Sequence, residues 1–96
     1  MFVLLATYTK PAEEVDRLLE EHKAWIGRHT QAGRILLTAR QVPLTGGLII
    51  ATGGSTDEMW EMIREDPFYT SGAAEYDVRE FTPVRAAAGV EGLLGT

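Results

Sequence analysis

The chain opens on a continuous apolar run, Phe2-Val3-Leu4-Leu5-Ala6-Thr7-Tyr8, the pattern of a strand buried on both faces. Thr9-Lys10-Pro11 ends it. Pro11 suits the first helical position, and Glu13 and Glu14 favour the positive end of a helix dipole. Val15, Leu18, Leu19, His22, Trp25, Ile26 and His29 then fall on one stripe at helical spacing. Glu13, Asp16, Arg17, Glu20 and Lys23 lie off that stripe, and Gly33 is a natural stop. Ile35 to Val42 reads as a second strand, with Ile35, Leu37 and Ala39 on one face and Leu36, Thr38, Arg40 and Val42 on the other. Pro43-Leu44-Thr45-Gly46-Gly47 is turn chemistry. Leu48-Ile49-Ile50-Ala51 follows as another strand apolar on both sides, joined to the second by a connection short enough for a hairpin.

Gly53-Gly54 breaks that strand, and Ser55 with Glu58 forms a capping box. It opens a helix carrying Met59, Trp60, Met62 and Ile63, which should stop at Asp66 because Pro67 follows. Tyr76 to Phe81 alternates, with Tyr76 and Val78 on one face, and ends at Pro83. The order is β-α-β-β-α-β, which predicts an α+β, ferredoxin-like fold with two helices on one face of a four-stranded antiparallel sheet. The first and third strands are apolar on both faces, so the uncovered face needs burying. A second copy packed sheet to sheet answers that need, giving a homodimer; the tail could cover part of the face instead.

Length agrees with one domain over residues 1–85 and a small, Gly-rich tail over 86–96 that is flexible or touches a partner. A chain of 96 residues has reason to recruit a partner subunit, since small domains bury a modest share of their surface. Nine basic against fourteen acidic residues give a net charge of −5, which argues against nucleic-acid binding. No cysteine is present, which removes disulfides, thiolate nucleophiles and thiolate-held metals. The apolar run Phe2–Ala6 is far short of the roughly 20 residues that span a membrane. It also lacks the basic start and cleavage site of a signal peptide, so the expectation is a soluble cytoplasmic protein without membrane contact.

Few residues here carry chemistry. His22 lies in the middle of an apolar stripe, where a polar ring needs compensation. It is either a hydrogen-bonded core residue or a proton carrier. His29 follows seven positions later, roughly 10.5 Å along a helix, so one metal ion cannot take both, and no metal or cofactor is expected. Near a helix end, His29 reads as a dipole partner or surface residue. Asp66 can cap its own turn, or it can orient an imidazole. The 44 positions between it and His22 leave that choice open, although helices packed on one sheet face can bring their ends together. Arg40 is expected on the sheet face away from the helices, where it would bind an anion or pair with an acid across a subunit interface. Gly53-Gly54-Ser55-Thr56 lacks the lysine and glycine spacing of a nucleotide cradle and reads as turn plus cap.

Taken together, His22, the segment Gly33-Arg34-Ile35-Leu36-Leu37 eleven residues later, Asp66-Pro67-Phe68, Gly72 and Phe81-Thr82-Pro83 resemble the YciI-like family of the dimeric α+β barrel superfamily. The resemblance spans about residues 2–83. It implies that His22 and Asp66 form the active-site pair, and that the chemistry is cofactor-independent, on a small molecule of aromatic or lactone-like type. Two positions depart from the family pattern: Leu19 stands where an arginine is frequent, and Ala39-Arg40 where Gly-Pro is frequent. Two functions follow as expectations. One is an enzyme, a lyase or isomerase, in which His22 moves a proton, Asp66 orients it, and Arg40 or Tyr8 positions an anionic or phenolic group. The other is a non-catalytic homodimeric module that binds a small ligand or serves as an accessory.

Overall fold

The computed structural model describes residues 1–92, so part of the tail expectation, at positions 93–96, lies outside the described residues. The elements run β1 (Phe2–Tyr8), α1 (Ala12–Gln31), β2 (Ile35–Arg40), β3 (Gly46–Ala51), α2 (Thr56–Ile63), α3 (Pro67–Thr70) and β4 (Ala74–Glu80). The four strands form one antiparallel sheet in the order β2-β3-β1-β4. This is the α+β, ferredoxin-like arrangement that the alternation of apolar and polar residues implies. The two strands apolar on both sides, β1 and β3, are the two central ones. One side of each is buried beneath α1 and α2, and the apolar residues of the other side belong to the uncovered outer face.

α1 and α2 cover one face of this sheet. Phe2, Leu4, Ile35, Ile49 and Ala51 from the strands pack with Trp25 of α1 and with Met59, Met62 and Ile63 of α2. Trp25 is fully buried, and its indole Nε1 donates to the Met62 carbonyl at 2.9 Å, tying the two helices together. The helix ends follow the local chemistry. Gly33, at φ 79°, occupies the left-handed region that terminates α1. Ser55 caps α2 by accepting from the Glu58 amide at 3.2 Å. At the start of β3, a Cβ on Gly46 would lie inside the Ala6 carbonyl, so only glycine lets β3 approach β1 there.

Three expectations change. The second strand ends at Arg40, two residues early, because Val42 precedes a proline and is turned into solvent. The segment after Asp66 forms a further single-turn helix, α3, with Pro67 at its first position. Most consequential is a β-bulge between Ile35 and Leu37, which leaves Leu36 as an extra residue. The bulge reverses the alternation beyond it. Ile35 pairs with Ala51 on the helix side, but Leu37 pairs with Ile50 and Ala39 with Leu48 on the outer face. Thr38 and Arg40, opposite Ile49 and Gly47, therefore belong to the helix side, and Arg40 does not project from the outer face.

The outer face carries two apolar cross-strand rows, Val3–Ile50–Leu37 and Leu5–Leu48–Ala39. On β4 the rows end at Arg79 and Asp77. Leu37 is 53 % exposed and Leu5 36 %. Tail residues Ala86, Ala87 and Val90 line a cleft with Met1, Ile50 and Phe81, so the tail reaches one end of this face.

Candidate functional site

α3 begins where Pro67 forces Asp66 out of helical conformation, and Asp66 becomes the residue that caps the turn. Its Oδ1 accepts from the Phe68 amide at 3.1 Å. The same oxygen meets Nδ1 of His22 at 2.7 Å. Oδ2 accepts from the Tyr76 hydroxyl at 2.5 Å. Asp66 is wholly buried, and a buried carboxylate of this kind is tolerable only with such donors around it. The turn cap and the contact with an imidazole, the two alternatives weighed from the sequence, thus meet in one side chain.

His22 is held from a second direction by Phe68, whose ring lies 3.9 Å away and only 7° from parallel. An ionised carboxylate can only accept, so His22 must carry its proton on Nδ1. In the neutral ring Nε2 then keeps the free lone pair. Nε2 has no protein partner among the described residues and is not sealed from solvent. The His22 side chain is 13 % exposed and lines a small cavity of about 50 Å³ with Tyr8, Ile26, Thr38, Phe68 and Tyr76. Gly47, on the strand below, lines the cavity without a side chain. A ring of fixed tautomer that lines a cavity, with one nitrogen anchored and the other without a protein partner among the described residues, can accept or deliver a proton.

Tyr76 is the residue that sequence reasoning missed. Burial raises its phenol well above the ordinary range, and the charge and hydrogen bond of Asp66 and the proximity of Tyr8 add to the effect. The phenol consequently stays protonated and keeps donating to Asp66. The available signal was a tyrosine on the core-facing side of a strand, whose hydroxyl needs a buried partner.

Tyr8 and Arg40 are placed differently. Tyr8 stands edge-on to Phe68 at 5.9 Å and lines the His22 cavity. Arg40 does not; it lines a second, larger cavity that Tyr8 also borders. Of the two readings of His29, the surface one fails: it is 8 % exposed, with Nε2 3.0 Å from Glu65 Oε1, although it does lie in the last turn of α1, where a dipole partner belongs. It packs edge-on against Trp25 and lies outside both cavities. Among the described residues, no group of three or more His, Asp or Glu side chains is arranged to hold a metal ion, and no helix is long and apolar enough to cross a membrane.

The model of the YCII-related domain matches residues 1–82. No curated protein matches the chain. Nine solved chains do, among them 5-chloro-2-hydroxyhydroquinone dehydrochlorinase from Burkholderia phenoliruptrix AC1100, in complex with 2,5-dihydroxybenzoquinone. That similarity has a TM-score of 0.69 at 18 % identity, over 84 % of this chain and 93 % of the dehydrochlorinase. At such identity it speaks for the shared fold.

Proposed function

The chain belongs to the YCII-related domain family, and from that premise we propose that it is a cofactor-independent enzyme acting on a small, aromatic or lactone-like molecule. His22 is its general acid–base and Asp66 the group that orients it. The observation that carries this reading is the 2.7 Å contact between His22 Nδ1 and a fully buried Asp66, in a histidine that lines a cavity and whose Nε2 has no protein partner among the described residues. Imidazole as a group exchanges protons near neutral pH, so the role needs no unusual tuning. Tyr8, in the wall of that cavity, and Arg40, beyond it, are the proposed ligand contacts. The fold similarity to a dehydrochlorinase of an aromatic compound is consistent with the substrate class. Proton removal followed by loss of a leaving group, or proton relocation within a ring, needs no more than such a base.

The test is consumption of a panel of hydroxylated aromatics and lactones by the wild type and by His22→Ala. A compound consumed by the first and spared by a folded second supports the reading. Ligand binding with no turnover of any bound compound would replace it with a non-catalytic binding module.

The same proposal includes a homodimer formed by the outer faces of two sheets, since among the described residues Leu5 and Leu37 stay exposed and the tail residues Ala86, Ala87 and Val90 lie at the Ile50 end. Light scattering over a dilution series should give twice the monomer mass at micromolar concentration. A folded monomer there would refute the pairing. The family membership and the net charge of −5 favour a soluble cytoplasmic protein with no nucleic-acid partner.

A further inference from the structure

We infer that the cavity beside the His22 pocket is a carboxylate-binding subsite, and that the substrate is a small monoanionic organic acid gripped by Arg40 while its reactive group reaches His22. This deepens the proposed function and rests on it.

Size is the first argument. The His22 cavity, about 50 Å³, has room for a water or one functional group, given that a water occupies about 30 Å³ in the liquid. It has no room for a ring. The neighbouring cavity measures about 630 Å³, within the span of small-molecule sites. The two share Tyr8 as a wall, and Leu19, which lines the larger one, stands one helical turn before His22. A molecule whose body fills the larger space is thus placed to extend a substituent past Tyr8 to the imidazole.

Charge is the second. Val15, Leu19 and Leu44 give the larger cavity an apolar side, while Thr7, Thr45, Tyr8, Lys10 and Arg40 give it a polar one. No carboxylate among the described residues lies within 4.0 Å of the Arg40 guanidinium. Lys10 is already engaged, donating to the Ser71 carbonyl at 2.9 Å and standing 4.0 Å from Glu14. Arg40 makes no side-chain hydrogen bond or ion pair among the described residues, and its planar fork matches a carboxylate better than the Lys10 ammonium does. α1 presents its amino-terminal end here through Ala12 with no side-chain cap, but Glu13 and Glu14 in its first turn offset the positive potential of its amides, so the grip rests on Arg40. Asp16 also lines the cavity and opposes a second negative charge, so a monoanionic carboxylate fits better than a dianionic phosphate. The bulge at Leu36 is what delivers Arg40 to this side of the sheet.

Calorimetry with benzoate and phenylacetate, each against its neutral amide, tests the inference on the intact protein. The acids should bind about tenfold or more tightly than the amides, the scale of a charge-assisted pair. Arg40→Gln should erase that preference while leaving amide binding in place, and Arg40→Lys should keep part of it. Equal affinity for acid and amide, no measurable binding of either acid at millimolar concentration, or a preference that survives Arg40→Gln would overturn it. Because binding is the readout, the two proposals fail separately. An Arg40-dependent preference without turnover of any acid removes the proton-transfer reading and leaves the subsite standing. Turnover that needs His22 but ignores Arg40 does the reverse.

Discussion

Two histidine–carboxylate pairs stand on the same face of α1, two turns apart, with Trp25 between them. Their partners are adjacent in sequence: Asp66 for His22 and Glu65 for His29. The resemblance ends at the surroundings. Asp66 is fully buried and receives two further hydrogen bonds, whereas the Glu65 side chain is 57 % exposed and reaches His29 from solvent. His22 stacks on Phe68 and borders a cavity; His29 is packed against Trp25 and borders neither cavity of the candidate site. A histidine and a carboxylate at about 3 Å thus occur here in two different settings. They differ in whether the carboxylate is locked by other donors and whether the histidine borders a cavity.

The largest effect that could break this contrast is on turnover. For any substrate found with the wild type, His22→Gln should lower kcat/KM by about 10²- to 10⁴-fold, the usual worth of a general acid–base. His29→Gln should stay within about threefold. Comparable losses in both variants would erase the distinction and return His22 to the core.

Stability should separate the carboxylates in the same sense. Asp66→Asn keeps the shape but cannot accept from all three donors, and buried donors left unpaired should cost about 2–4 kcal/mol in urea unfolding. Glu65→Gln alters a solvent-screened pair and should cost less than about 1 kcal/mol. Equal costs would mean that burial of the carboxylate does not govern the difference.

A smaller effect sharpens the role of Tyr76. Tyr76→Phe removes one hydrogen bond to Asp66 and should cost about 1–2 kcal/mol at neutral pH. Because burial and Asp66 raise the phenol's affinity for its proton, the folded chain keeps a proton that the unfolded chain releases near pH 10. The stability this confers is intact below about pH 10 and is lost as pH rises further, so the variant should show a shallower alkaline decline. Identical alkaline limbs would indicate that Tyr76 does not remain a donor in solution.

Much of this was legible in the order of residues. The two central strands announce themselves as apolar on both faces, Gly33 and Ser55 mark helix ends, and Pro67 marks the break at Asp66. These signals are local, acting over one to four positions through backbone sterics, capping and side-chain periodicity, and the tertiary fold does not override them. Local chemistry also singled out His22 and Asp66, as a polar ring on an apolar stripe and an acid ahead of a proline.

The rest was decided by packing between distant segments. Leu36 and Leu37 are both apolar, so alternation alone could not reveal which one bulges, and only the pairing of β2 with β3 sets Arg40 on the helix side. Glu65 meets His29, and Tyr76 completes the ring of donors on Asp66, across 36 and 10 positions of chain. The contact of His22 with Asp66 crosses 44 positions. Such contacts form where burying the core between sheet and helices offsets the entropy of closing the chain, and that balance belongs to the whole fold rather than to any stretch of its sequence.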